Sequence, residues 1–223
     1  RQCASAHLLC MRRETMHLLP SHSGNFIAVR FKIGALHRFI PIPTDLLADQ
    51  SVPLDTIWGS AIDTLMQRIS YAASQHERCM LIQDFLIQRL RAEAIDALVE
   101  QALQQLYQDS TTLSIQALAD RFALGRRQLE RRFQKLTGQT PREIKSAIRF
   151  QRSLRELMLQ QHAHPTDIAL ANGYYDQAHF IHEFRQFTRQ TPKQYLAEAR
   201  TKTHFYNTSR SQPGNMSSPV ELI

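Results

Sequence analysis

The chain has 223 residues, of which 43% are hydrophobic and 21% are charged, and its formal net charge is +7 at pH 7. These proportions are close to those of globular proteins and exclude a largely disordered or fibrous chain. No apolar run approaches the roughly 18–20 residues that a membrane span needs, so we expect no membrane partner. The three cysteines are too few for a disulfide framework, which favours a reducing compartment, the cytoplasm.

Residues 1–108 predict a small α/β domain. The segment 25–33 is rich in β-branched and aromatic residues and predicts a strand, and the two prolines within 39–45 predict an irregular turn. Apolar residues at helical spacing then predict three helices, at 54–70, 77–90 and 93–108. Because the sequence begins at Arg1 without an initiator methionine, we expect this domain to be truncated at its start.

Some side chains in this half fit more than one role. Trp58 is expected in the core, and four leucines fit either an intramolecular core, which is favoured, or a dimer interface: Leu86, Leu90, Leu98 and Leu106. Three residues near the start have a spacing that would suit a metal ion: Cys3, His7 and Cys10. Cys79 follows His76, but no fourth ligand with proper spacing is visible. We therefore expect no metal, no cofactor and no catalytic site.

Positive charge is concentrated in the second half of the chain. Residues 113–202 hold sixteen Arg and Lys against eight Asp and Glu, whereas residues 1–112 hold ten against eleven. This concentration indicates a polyanionic partner, although a well-solvated surface would explain the charge alone equally well.

The basic segment contains an internal repeat. Residues 133–144 recur as residues 184–195, with Phe, Thr, Gln, Thr and Pro identical at an offset of 51. Each copy predicts two short helices joined by a tight turn, at about 114–138 and 165–189. The sequence therefore predicts two helix-turn-helix units, in which the second helix of each is the recognition helix.

Two capping boxes follow the recognition helices. Residues 140–143 and 191–194 each combine a threonine cap, a proline in the first turn and Glu or Gln three residues after the cap. The first predicts a helix over 141–161 that joins the two units rigidly, and the second predicts a short closing helix that ends near residue 200. The Ser-, Asn- and Pro-bearing tail, 203–223, is predicted to be disordered.

The face opposite the predicted core of each recognition helix carries side chains that can read bases. Arg, Gln and Glu can pair with guanine, adenine and cytosine in the major groove, and apolar groups can contact the thymine methyl. The predicted base-reading residues are Arg127, Glu130, Arg131, Gln177, Ala178, Ile181 and His182. The predicted phosphate contacts are Arg126, Arg132, Lys135, Arg142, Arg185 and Lys193. An ordinary solvated face would explain one such stripe, but not two matched stripes behind matched turns.

Residues 113–200 resemble the DNA-binding domain of AraC/XylS-type bacterial transcription regulators. The resemblance runs through residues 118–119, 129–133, 167–169, 172–174 and 191–192, together with Gly138, Phe180 and Tyr195. It implies a seven-helix domain whose recognition helices read a promoter. The sequence departs from the family pattern at Gly125, where Ser usually caps the first recognition helix, and at Arg189, where Gly usually follows the second.

The N-terminal half resembles the sensing domain of one subgroup of that family at residues 31–34, 43–54 and 58–59. We therefore expect a mainly α protein: a truncated α/β sensing or regulatory domain at 1–108, then an all-α DNA-binding domain at 109–202 with two helix-turn-helix units joined by a long helix. The expected partner is double-stranded promoter or operator DNA, in the cytoplasm at the nucleoid. RNA polymerase, a small-molecule effector and a second copy of the chain stay open as further partners.

A sequence-independent architectural protein is the alternative interpretation. Such a protein bends DNA with apolar wedges in the minor groove, and the duplicated helix-turn-helix pattern argues against it. His179 and His182 lie three residues apart on a predicted helix, but we assign His182 to the groove face and His179 to a place beside the phenylalanines rather than to a metal.

Overall fold

The computed structural model describes residues 6–9, 27–47, 50–91, 96–159 and 164–199. Over these residues the chain forms ten α-helices, two one-turn 3₁₀ helices and one sheet of two short strands. This confirms the expected fold class, a mainly α protein whose helix-turn-helix part follows a small α/β part. Among the described residues, no helix has the length and apolarity that crossing a bilayer requires.

The small sheet forms in a different place from the strand predicted at 25–33. Strand β1 (His7–Leu9) pairs antiparallel with β2 (Ser51–Pro53), with Leu8 opposite Val52. Residues 27–33 are not in a strand, and residues 27–30 are exposed. The prediction was wrong here because a β-branched run becomes a strand only where a neighbouring strand supplies hydrogen bonds.

Three short helices follow β2: α1 (Leu54–Trp58), α2 (Ala61–Tyr71) and α3 (Gln75–Ile87). The single helix predicted at 54–70 is broken at Gly59, whose φ of 59° and ψ of −151° place it in a region that only glycine adopts readily. Trp58 packs between two apolar clusters and donates its indole N–H to the carbonyl of Phe39 at 3.2 Å. The core role predicted for Trp58 is confirmed.

The four leucines divide between core and surface. Leu86 is buried beside Phe85 in the cluster between α2 and α3, and Leu106 is fully buried further along the chain. Leu98 is half-buried against the same cluster as Leu106, whereas Leu90 is 44% exposed. The intramolecular core that the sequence favoured is therefore confirmed for three of the four.

The second half folds into seven helices with short connections. Helix α4 (Ala97–Gln108) is followed by α5 (Ile115–Arg121) and α6 (Arg126–Thr137), which we call the first unit. The long helix α7 (Pro141–Leu159) leads to α8 (Pro165–Ala171) and α9 (Gln177–Thr188), which we call the second unit, and α10 (Pro192–Ala199) closes the fold. The two predicted bihelical units and the helix that joins them are thus present.

Each unit has its own buried core. In the first unit Leu118, Leu129 and Phe133 are fully buried, and α4 adds Val99 and Leu106 to the same cluster. In the second unit the equivalent cluster is built around Phe180 and Phe184, which pack edge to face. Helix α4 therefore packs with the first unit although it precedes the predicted domain boundary at 108/109, and that boundary stays a prediction.

The turn of the second unit contacts the loop that precedes the first unit. Gly173 has a φ of +76°, and a Cβ added to it would lie 3.0 Å from Cβ and 3.1 Å from Cα of Thr111. Arg152 of α7 donates to the Ser110 hydroxyl at 3.1 Å and to the carbonyl of Tyr107. The spacing of the two units is therefore set by close backbone contact as well as by the length of α7.

Candidate nucleic-acid interface

Helix α6 turns a basic face outward because its apolar residues lie on one side. Leu129 and Phe133 are fully buried, while Arg127 and Arg131 are exposed on the other side of the helix. Gly125 is the N-cap and contributes no side-chain hydrogen bond, so the first-turn N–H groups of α6 have no side-chain partner from the cap. These N–H groups and the exposed arginines favour an anionic ligand at this end of the helix.

Helix α9 also buries one side and exposes the other, but its exposed side carries different side chains from that of α6. Asp176 caps it, accepting a hydrogen bond from the His179 N–H at 2.7 Å. Phe180 and Phe184 face the core. The predicted base-reading residues lie on the other side: Gln177, Ala178 and His182 are exposed, and Ile181 is half-buried.

Some predicted base readers are already paired with neighbours on their own helix. Glu130 is half-buried and accepts from Arg126 Nε at 2.9 Å, and the imidazole of His182 lies 3.1 Å from the Gln186 amide nitrogen. Both are pairs of residues four apart on a helix surface, which contribute only a few tenths of a kcal/mol. A base pair or a phosphate that offers better geometry can therefore replace them.

Four of the predicted phosphate contacts are exposed and form no ion pair with another described residue: Lys135, Arg142, Arg185 and Lys193. Arg142 and Lys193 stand in the first turns of α7 and α10, immediately after the prolines of the two capping boxes. In both boxes the cap is formed: Thr140 Oγ1 accepts from the Glu143 N–H, and Thr191 Oγ1 accepts from the Gln194 N–H, each at 3.2 Å. The two helix N-termini thus carry a cation at matching positions.

Arg132 is held by a partner that the sequence did not suggest. Its Nε donates to Asp96 Oδ2 at 2.9 Å and its Nη2 donates to Oδ1 at 3.2 Å, and the arginine side chain is 38% exposed. These two bonds leave both N–H groups of Nη1 and one of Nη2 for a further acceptor such as a phosphate. Asp96 lies 36 residues away in sequence, and helical periodicity carries no signal for such a pair.

Helix α7 uses three of its cations inside the protein. Lys145 donates to the carbonyl of Leu113 at 2.6 Å, Arg152 binds the end of α4, and Arg149 binds Glu183 of α9. Burial lowers the pKa of Lys145. The positive charge that the sequence places in residues 113–202 is therefore not all available to a ligand, and the outward-facing part comes mainly from α6, α9 and the starts of α7 and α10.

The ion pair between Arg149 and Glu183 is more deeply buried than the pair between Arg132 and Asp96. The side chains are 14% and 9% exposed, and Arg149 Nε lies 3.2 Å from Glu183 Oε1. The guanidinium also lies 4.3 Å from the ring centroid of Tyr174 and donates to the Gly173 carbonyl at 3.4 Å. Burial raises the pKa of Tyr174, so its phenol stays neutral inside this network.

Each recognition helix ends at a threonine that makes equivalent hydrogen bonds in the two units. Thr137 Oγ1 donates to the Phe133 carbonyl at 2.9 Å and accepts from the Gln139 N–H at 3.2 Å. Thr188 repeats this with Phe184 at 2.8 Å and Gln190 at 3.2 Å. The identical residues of the repeat are thus those that bury the helix, end it and begin the next one.

The histidines do not form a metal site with each other in the described part of the chain. The His179 ring packs against Tyr174, 5.4 Å between centroids, while His182 lies on the exposed face. Among described residues no group of three or more His, Cys, Asp and Glu side chains could hold a metal ion. Cys3 and Cys10 lie outside the described residues.

Comparison with known proteins identifies the same segment. A family model described as a helix-turn-helix domain matches residues 118–198. The HTH-type transcriptional activator RhaS of Pectobacterium carotovorum subsp. carotovorum (strain PC1) is 39% identical over 77 residues, which are 34% of this chain and 27% of that protein. This chain therefore corresponds to about a quarter of the length of that relative.

One solved structure also overlaps this part of the chain. It is the C-terminal domain of AraT, a response regulator from Geobacillus stearothermophilus, with 22% sequence identity and a TM-score of 0.44. The overlap covers 54% of this chain and 98% of that domain.

Proposed function

We propose that this chain is a transcription regulator of the AraC/XylS type, and not an enzyme, that binds promoter DNA at a specific sequence and inserts both recognition helices into it. The match of residues 118–198 to a helix-turn-helix family model and the similarity to the activator RhaS support this proposal. The observation that carries the proposal is the pair of matched outer faces. Helices α6 and α9 bury equivalent phenylalanines and carry the predicted base-reading side chains on the opposite side.

The base readers divide into two chemically different sets. On α6, Arg127, Glu130 and Arg131 would read guanine and cytosine, and on α9 the polar readers Gln177 and His182 would favour a different set of bases. Ala178 and Ile181 add apolar contacts that suit a thymine methyl. Two different sets on two units favour an asymmetric site in which each half is read by one unit. One monomer would then cover two adjacent major-groove segments, about 34 Å apart.

The exposed cations around these faces would hold the DNA backbone. Arg126, Lys135, Arg142, Arg185 and Lys193 are exposed, and Arg132 keeps Nη1 for a sixth contact. Six neutralised phosphates predict that the logarithm of affinity falls with the logarithm of salt concentration with a slope of about −5.

We further propose that the N-terminal half controls binding through the first unit. The Tyr107 hydroxyl of α4 donates to the Ile33 carbonyl at 3.2 Å, and Gly34 lies against Leu103 and Ile144. The 3₁₀ turns Leu36–Arg38 and Thr44–Leu47 contact α6 itself. A conformational change in this N-terminal segment would therefore act on the first recognition helix through direct contacts.

Selection of bound duplexes from a random pool tests this function. The chain is expected to enrich one motif with two separate half-sites and to prefer it over scrambled duplexes by about 10³-fold or more at fixed salt. Footprinting of the selected duplex is expected to show protection in two successive major grooves. Equal affinity for scrambled duplexes would identify an architectural protein and refute the proposal, and protection of a single groove would refute the two-helix part of it.

A further inference from the structure

The same position of the repeat carries opposite charges in the two units. Arg132 on α6 and Glu183 on α9 stand 51 residues apart, which is the offset that aligns the two copies. Each forms an ion pair with the helix that precedes its own unit, Arg132 with Asp96 at the start of α4 and Glu183 with Arg149 of α7. In both units an ion pair therefore joins the recognition helix to the preceding helix. The recognition helix supplies the base in the first unit and the acid in the second.

The first pair fixes α6 to the beginning of α4. Both carboxylate oxygens of Asp96 accept from Arg132, at 2.9 and 3.2 Å. The same carboxylate is the N-cap of α4, accepting from the Leu98 and Val99 N–H groups at 3.1 and 3.3 Å. A two-point contact between a planar guanidinium and a carboxylate fixes an angle as well as a distance.

The second pair fixes α9 to the middle of α7 and to the turn of its own unit. Arg149 engages both oxygens of Glu183, donates to the Gly173 carbonyl and lies over the Tyr174 ring. Its burial means that breaking it would leave an uncompensated charge inside the protein. This connection is more constrained than the first.

Each pair is adjacent in sequence to a proposed base reader. Arg132 follows Arg131, and Glu183 follows His182, so the paired residue and the reader project from the same turn of the helix. The buried apolar residues hold each helix against the core, but apolar packing restricts rotation about the helix axis less than a directional pair does. A small rotation would move the reader away from its base edge.

We propose that Asp96 and Arg149 are positioning residues for DNA recognition, each setting the angle at which one recognition helix enters the major groove. Asp96 acts on the half of the site that α6 reads, and Arg149 acts on the half that α9 reads. The inference rests on the proposed function, because it concerns how the same two faces reach DNA. It predicts that loss of either pair relaxes discrimination in one half of the site only.

The test uses the full chain and the duplex selected by the wild type, together with a panel of duplexes that each carry one base substitution. Asp96→Asn keeps an N-cap oxygen for α4 and removes the charge that holds Arg132, since Asn caps helices as well as Asp does. It is expected to reduce discrimination about tenfold at positions read by α6 and to leave the other half unchanged. Glu183→Gln is expected to reduce discrimination at positions read by α9 and to leave the half read by α6 unchanged.

Two control variants and one charge-swapped double variant accompany these substitutions. Asp120→Asn and Asp167→Asn remove exposed acidic charges from α5 and α8 and are expected to change affinity for all duplexes alike. The double variant Arg149→Glu with Glu183→Arg is expected to recover discrimination relative to Glu183→Arg alone. Should Glu183→Arg fail to fold, Glu183→Gln still gives the result.

The outcomes separate the two proposals. A wild type that selects no motif contradicts the proposed function. A wild type that selects a motif, combined with variants whose discrimination is unchanged or falls equally in both halves, overturns the positioning role while the proposed function stands.

Discussion

Single residues decide what each recognition helix can offer to a base pair. Among the predicted base readers, α6 exposes two guanidinium groups, each able to make a two-point contact with guanine, whereas α9 exposes an amide, an imidazole and a methyl group. The cations that flank these faces, such as Lys135, stand away from the predicted base-reading residues, and Lys135 forms no ion pair within the described part of the chain. Base reading and backbone binding should therefore be separable by substitution.

Replacing Arg131 by alanine is expected to lower affinity for the selected duplex by about 1–3 kcal/mol and to relax one base position. The reason is the loss of a two-point contact with a base edge, which scrambled duplexes do not offer. Equilibrium binding at fixed salt, measured on selected and scrambled duplexes, checks this.

Lys135→Ala serves as the matched comparison, with an expected loss that is equal on both kinds of duplex. A loss confined to the selected site would show that Lys135 reads a base.

The end of α9 contains a strained residue. Arg189 has a φ of 60°, in the left-handed region, and stands where the first unit has Gly138 with a φ of 71°. A side chain in this conformation costs about 1 kcal/mol relative to glycine, and Arg189 is exposed, so removing it loses no burial.

Arg189→Gly is therefore expected to raise the free energy of unfolding by about 0.5–1 kcal/mol, less than the full strain because glycine gains entropy in the unfolded chain. Urea unfolding measures the change. Gly138→Ala should shift stability by a similar amount in the opposite direction. A decrease on Arg189→Gly would contradict the left-handed conformation.

At the scale of helices and strands, the sequence predicts best where local chemistry decides the outcome. The two threonine capping boxes can be predicted from the sequence, because each involves residues within three positions of one another. Partners that are distant in sequence were not readable. The strand at 25–33 was predicted without knowledge that β1 pairs with β2, and Arg132 was assigned to phosphate because Asp96 is remote.

The loop between α4 and α5 provides a further element whose stability depends on charge. Asp109 accepts hydrogen bonds from the side chain and backbone of Thr112 and from the Thr111 hydroxyl. These bonds, those from Thr112 above all, lower the pKa of Asp109 from 3.8 to about 2. Because the folded pKa is below the unfolded value, the ionised carboxylate stabilises the fold above about pH 4, and this stabilisation is lost as the pH falls towards 2.

Asp109→Asn should consequently lower the urea midpoint at pH 7 and lower it less at pH 2.5, because part of the stabilisation by the ionised carboxylate is already lost there. Unfolding curves of both proteins at the two pH values provide the measurement. An equal difference at both pH values would show that the loop does not depend on this charge.

For the whole molecule, the contact between the N-terminal segment and α4 includes a buried histidine. His37 is 6% exposed, donates from Nδ1 to the Gly34 carbonyl at 2.7 Å, and has Nε2 3.5 Å from Glu100. Burial lowers its pKa below 6.5, against the opposing effects of the Gly34 carbonyl and Glu100, and Arg38 lowers it further. The unfolded chain thus takes up this proton more readily than the folded chain.

Stability is therefore expected to fall as the pH drops from above 6.5 towards the lowered pKa of His37, because protonation favours the unfolded state. His37→Gln should make the urea midpoint less sensitive to pH between about 7.5 and 5.5. His76→Gln, a change at an exposed histidine of α3, provides the comparison. An unchanged pH dependence in His37→Gln would exclude this residue as the origin of the effect.

If both recognition helices enter DNA as proposed, the close approach of Gly173 to Thr111 would limit which operators this protein can use. Inserting one base pair between the two recognised segments turns the distal groove by about 35° around the DNA axis. Because the turn of the second unit packs against the loop before the first unit, the two units would not follow that rotation, and any adjustment would have to come from twisting or bending the DNA. Flexible pyrimidine–purine steps in the uncontacted spacer would then be favoured, and a stiff A-tract there would weaken binding although no side chain touches it.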